Sequence, residues 1–178
     1  MIRLRTVFLA TLVIGAATAA IFADNIRDMS ADLSGYQEVP TLSTSGTARF
    51  EARVNKDDSE VEWRLSYADT ESPVTQSHIH FAATAINGPI IVFLCSNLGN
   101  GPAGTQPCPA APASISGSFA AVDVLGNGAP MGLEAGNLEE LLAAIRAGAT
   151  YANVHTTGRP GGEVRGQIDV HDAGHGGH

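Results

Sequence analysis

The chain has 178 residues, enough for one domain with a real core, and its formal charge of −8 leaves no basic surface for nucleic-acid phosphates. Hydrophobic residues make up 44% and charged ones only 16%, with 20 Gly and 9 Pro. That composition suits a turn-rich β protein better than a helical bundle or a disordered chain.

The chain opens with Arg3 and Arg5, then runs uncharged and apolar from Val7 to Ala23 with small residues crowding the end. A basic start, an apolar run and small residues before Asp24 read as a secretory signal over 1–23, cleaved after Ala19 or Ala23. Losing Arg3 and Arg5 leaves 8 basic against 18 acidic residues, a mature charge of −10 and no membrane association. The expected location is the periplasm or the exterior of the cell.

The segment from Asp32 to Pro40 predicts a first short strand. From Thr47 to Val54, Ala48, Phe50, Ala52 and Val54 fall on one face and Thr47, Arg49, Glu51 and Arg53 on the other. After the polar turn Asn55–Ser59 the pattern returns, with Val61, Trp63, Leu65 and Tyr67 opposed to Glu60, Glu62, Arg64 and Ser66. This predicts an antiparallel hairpin with one buried and one wet face.

Gln76–Phe81 carries His78 and His80 two residues apart, so on a strand both imidazoles project from one face. Asn87-Gly88-Pro89 turns the chain, and the apolar run Ile90–Cys95 predicts a strand covered on both sides. The stretch from Ser96 to Ala113 is too rich in Gly and Pro for regular structure. At 18 residues it must be pinned or functional. Cys95 and Cys108 flank it and predict a structural disulfide, because no Cys-x-x-Cys spacing supports redox or zinc use.

Another strand is expected from Ile115 to Val124. Leu138, Leu141, Leu142 and Ile145 then form one helical stripe, with Asn137 as cap, Glu140 completing a capping box and Gly148 ending the helix. Two strands close the domain, Thr150–His155 and Glu163–Val170. Glu163 and Arg165 are read as a solvated strand face. The tail, residues 171–178, holds His171, His175 and His178 and reads as a flexible, weak metal-sequestering segment. The fold class is therefore all-β, an antiparallel Greek-key sandwich or barrel with one short inserted helix.

Three ordered stretches carry a family resemblance. They are Leu33-Ser34-Gly35-Tyr36-Gln37-Glu38-Val39-Pro40; His78-Ile79-His80 leading to Asn87-Gly88-Pro89; and Tyr151-Ala152-Asn153-Val154-His155-Thr156 with Pro160-Gly161-Gly162-Glu163-Val164-Arg165-Gly166-Gln167. Together they resemble the CHRD domain, named from the extracellular growth-factor antagonist chordin, over residues 30–170. The resemblance implies an extracytoplasmic β-sandwich and no settled activity. The family usually shows glycines after His-x-His, whereas this chain has Ala82-Ala83-Thr84-Ala85.

The functional expectation is a metal-binding module, with His78, His80 and His155 as a surface cluster of ligands. Three imidazoles suit copper or zinc. On this reading the core consists of Phe50, Trp63, Leu65, Ile79 and Val154, so acid strips the metal without unfolding the chain. Two alternatives stand beside it. One is an interaction module for an extracellular protein or polymer, with the histidines structural. The other, by analogy with copper/zinc superoxide dismutase and its His-x-His strand, is a copper enzyme. No nucleophile elbow, catalytic triad order or phosphate loop supports other chemistry, so a binding role is favoured over an enzyme.

Overall fold

The computed structural model describes residues 28–171. The signal segment, His175 and His178 lie outside the described residues.

The strands are β1 (Asp28–Ser34), β2 (Thr47–Val54), β3 (Glu60–Ala68), β4 (Val74–Phe81), β5 (Ile90–Ser96), β6 (Ala113–Ala120), β7 (Thr150–Thr156), β8 (Val164–Gln167) and β9 (Asp169–His171). One α-helix, α1 (Leu138–Arg146), precedes β7. The strands follow the order β5-β4-β7-β8-β1-β2-β3-β6, with β9 added beside β1. Every pairing is antiparallel, and the sheet curls into a nearly closed barrel, the all-β architecture expected.

The β2–β3 hairpin runs in register from Thr47↔Ala68 to Val54↔Val61, and its burial alternates residue by residue. Phe50, Leu65, Val54 and Val61 are buried on the inner face. They meet Ile79, Val154, Val164 and the α1 stripe Leu138, Leu141, Leu142 and Ile145 in one core.

The outer strands β5 and β6 face each other across a seam, which the 97–112 loop fills. The Cys95–Cys108 disulfide ties the loop to β5. The Gln106 Nε2 group donates to Leu94 O at 3.3 Å and Ser116 O at 3.2 Å, bridging the two strand edges. The Asn97 Nδ2 group donates to Val74 O and Cys108 O at 3.0 and 2.8 Å. The long loop is thus pinned, as its length predicts.

Several predicted boundaries move, each for a local reason. The first strand begins at Asp28 and ends at Ser34, because Gly35 enters a 3-10 turn, Gly35–Gln37, that lies against Leu42 and Thr44. β6 stops at Ala120, where the Asp123 carboxylate accepts its N–H at 2.9 Å and two 3-10 turns follow. The final strand breaks at Ile168, where the chain leaves β7 and pairs with β1 instead. Buried Ile168 fills that corner. The helix is capped by Asn137 Oδ1, which accepts from Glu140 N at 3.1 Å, and ends before Gly148 at φ 64°. The box does not close: the Glu140 carboxylate accepts from Glu134 N at 2.9 Å instead.

Candidate metal centre

β4 and β7 are neighbours, with Gln76 opposite His155, His78 opposite Asn153 and His80 opposite Tyr151. This register sets His155 diagonally across from His78, on the sheet face away from Ile79 and Val154. The three histidines meet there, each offering one nitrogen, and these nitrogens lie within 4.8 Å of one another. The β4–β5 ladder slips at Ser77/His78 and again at Ile79/His80. Such irregularities re-aim side chains.

The cluster is not on the surface. His78 is 0% exposed, and His80 and His155 are 6% exposed. Gln76 and Asn153 make this face look polar, so the sequence predicts solvent there. The segments after β4 and β7 fold over it instead, and their carbonyls find the imidazoles. His80 Nδ1 lies 2.8 Å from Gly88 O, and His155 Nδ1 lies 2.9 Å from Pro160 O. A carbonyl only accepts, so both Nδ1 atoms carry protons, and the Nε2 atom of each neutral ring is bare.

His78 Nδ1 lies 3.2 Å from the bare His155 Nε2 and donates to it. His78 Nε2 and His80 Nε2 are buried with no hydrogen-bond partner, as is Asn153 Oδ1. Orphaned lone pairs of this kind are rare in a folded interior and point to an absent partner. The backbone carbonyls behind His80 and His155 supply the outer support usual for metal-binding imidazoles.

Burial holds the three rings neutral. Desolvation, with His155 and His80 nearby, pushes the His78 imidazole down to about 2. Desolvation also lowers His80 to about 4, against the Gly88 carbonyl, which favours the charged form. His155 is lowered by the same burial. Neutral imidazole is the form that binds metal.

One further expectation is overturned. Glu163 and Arg165 are 0% and 1% exposed, so they are not a solvated face. The Glu163 carboxylate accepts from Thr44 Oγ1 at 2.9 Å, Glu71 N at 2.7 Å and Thr156 Oγ1 at 2.6 Å, joining three segments. The Arg165 guanidinium sits 3.4 Å from the Tyr151 ring centre, while His80 stacks on the same ring at 4.6 Å and 4°. β4 and β8 flank β7, so Tyr151 lies between them. Sequence reading set Asn153 on the histidine face but missed Tyr151 and Arg165 as neighbours of the site; their alternation in β7 and β8 was visible, but not the loops that cover them. His171, the first residue of the expected tail, ends β9, its Nε2 2.7 Å from Ser30 Oγ.

Fold and site together define a curled antiparallel β domain with a histidine triad buried beneath its loops. The sequence profile of the CHRD domain matches residues 29–168, and the chain belongs to that family. Neither a curated protein nor a solved structure matches it. Among the described residues no helix is long and apolar enough to cross a membrane.

Proposed function

We propose that this protein is an exported binding module that holds a copper or zinc ion at His78, His80 and His155. One observation carries the reading: two buried imidazole nitrogens, His78 Nε2 and His80 Nε2, have no partner beside the bare Nε2 of His155. The donors are neutral imidazoles without a carboxylate, a set that suits copper or zinc and is poor for calcium or magnesium. The disulfide supports export to an oxidising compartment, as does the basic-then-apolar start of the sequence. His171, His175 and His178 would add at most a weak second site, removed by truncation after Val170.

The test is equilibrium dialysis of the metal-free protein against copper and against zinc, followed by elemental analysis. Wild type should retain one tightly held ion per chain, and the His78→Ala, His80→Ala and His155→Ala variants should lose it. Equal retention by all four proteins would overturn the assignment. A protein-interaction module with structural histidines would be left in its place.

A further inference from the structure

A cavity of about 370 Å³ opens between the 3-10 turn and the 82–89 loop, lined among others by Tyr36, Glu38, Pro40, Ala85, Arg165 and Gln167. Two of these residues are buried charges of opposite sign. Glu38 is 7% exposed and Arg165 1%. No ion pair among the described residues joins them. Arg165 is held elsewhere, donating to Asn87 Oδ1 at 3.2 Å and to Ile86 O at 2.8 Å while it lies on Tyr151. Glu38 leaves its buried Oε1 with no partner.

Opposite charges in a shared cavity ordinarily close on each other, because a buried charge without a partner is costly. Here each is fixed by its own surroundings. Arg165 is anchored under the 82–89 loop, and Glu38 packs on Gly162, where a Cβ would lie 2.4 Å from Oε1. Burial pushes the Glu38 carboxyl up to about 7 in spite of Arg165 and the Val39 N–H, so the two charges do not satisfy one another. Of the two, only Glu38 Oε1 is left without a partner, which a cationic group would supply, and an anionic group beside it would meet the Arg165 guanidinium.

The rest of the lining is mixed: Gln37, Thr41, Thr84 and Gln167 are polar, and the remainder is apolar or strained. Tyr36 is 70% exposed at the rim, and Pro40 and Ala85 add apolar surface. Ala85 adopts φ 62°, a left-handed conformation that disfavours a side chain. Strain held at a cavity wall is a common mark of a binding loop.

We propose that this cavity binds a free apolar α-amino acid, its carboxylate on Arg165, its ammonium on Glu38, and its side chain against Tyr36, Pro40 and Ala85. The site adjoins the histidine triad, since Arg165 lies on the Tyr151 ring that His80 stacks against, but it does not depend on the metal reading.

Isothermal titration of the full chain with l-leucine tests it. l-Leucine should bind with a Kd below about 1 mM. 4-Methylpentanoate, which lacks the ammonium, and isopentylamine, which lacks the carboxylate, should each bind at least about tenfold more weakly. Glu38→Gln keeps the volume and removes the charge; it should leave the protein folded and weaken l-leucine binding by about tenfold or more. Tyr36→Ala, at an exposed position, should weaken it severalfold while the melting temperature holds. Any of three results would overturn the proposal: no binding of l-leucine up to about 50 mM, 4-methylpentanoate binding as well as l-leucine, or unchanged affinity in folded Glu38→Gln. Tighter binding of glucose than of l-leucine would make this a sugar site and overturn it as well.

Discussion

His78 Nδ1 on β4 and His155 Nε2 on β7 stand 3.2 Å apart, although 77 residues separate them in the chain. The β4–β7 register brings them together, and the Pro160 carbonyl fixes which nitrogen of His155 faces His78. The pair is buried, so metal affinity and fold stability are coupled through the same side chains.

Acid stability follows from that burial. His78 and His80 are lowered to about 2 and about 4, from 6.5 for an ordinary histidine. Below pH 6.5 the unfolded chain therefore binds more protons than the native one. Their contribution is complete above pH 6.5 and is lost as the pH falls, by up to about 1.4 kcal/mol per pH unit for each ring. Glu38, raised from 4.5 to about 7, acts in the opposite sense across that window. Two lowered rings outweigh one raised carboxyl, and His155 adds to them. Urea midpoints of the metal-free protein should fall steadily from pH 7 to pH 4, more steeply in Glu38→Gln. A flat profile would restore the sequence-based expectation that the core outlasts the histidines in acid.

His80→Ala and His155→Ala remove the imidazoles that satisfy Gly88 O and Pro160 O. Each should lower the stability of the metal-free protein by about 1–3 kcal/mol, because a buried ring and its hydrogen bond to a part-buried carbonyl are lost together. Each should also abolish the stabilisation that added copper or zinc gives to wild type. Denaturant unfolding with and without metal separates the two effects. A variant still stabilised by metal as strongly as wild type would remove that histidine from the site.

Glu163 should prove more sensitive than its place in a strand pattern suggests. Glu163→Ala strands the Thr44 and Thr156 hydroxyls and the Glu71 N–H together. The expected loss is about 2–4 kcal/mol, against about 0.5 kcal/mol or less for a solvent-exposed glutamate. Chemical denaturation beside the exposed Glu51→Ala gives the comparison. Equal losses would show that the buried carboxylate holds nothing.

Reducing the Cys95–Cys108 disulfide, or replacing both residues with alanine, should cost about 3 kcal/mol for a closed loop of this size. The change should loosen the 97–112 loop, and amide exchange there should rise first. Unchanged exchange in that loop would assign its order to Asn97 and Gln106 alone.

The legible parts of this sequence were those governed by local periodicity. The β2–β3 hairpin and the α1 stripe alternate so regularly that their faces follow from residue order alone. His78 and His80 share a face for the same reason, and the same alternation, with Ala152 and Val154 on the opposite face, singled out His155 as their partner. Burial of the triad was not legible, because it depends on the 82–89 and 157–163 loops, whose course has no period. Glu163 and Arg165 misled for that reason too. In an alternating strand a charged residue signals solvent unless a distant segment supplies its partners, here Thr44, Glu71, Ile86 and Asn87. The break at Ile168 likewise reflects a change of strand partner that the continuous alternation of Val164, Gly166, Ile168 and Val170 conceals.

X-ray absorption spectroscopy of the copper-loaded and zinc-loaded chain, with His171, His175 and His178 replaced by alanine, tests the triad most directly. The predicted spectrum shows three imidazole nitrogens about 2.0–2.1 Å from the ion, with the multiple scattering of imidazole rings. In His80→Ala, which should no longer retain the ion, that signal should be lost. A shell dominated by oxygen, or an unaltered spectrum in His80→Ala, would place the metal elsewhere and contradict the buried histidine site.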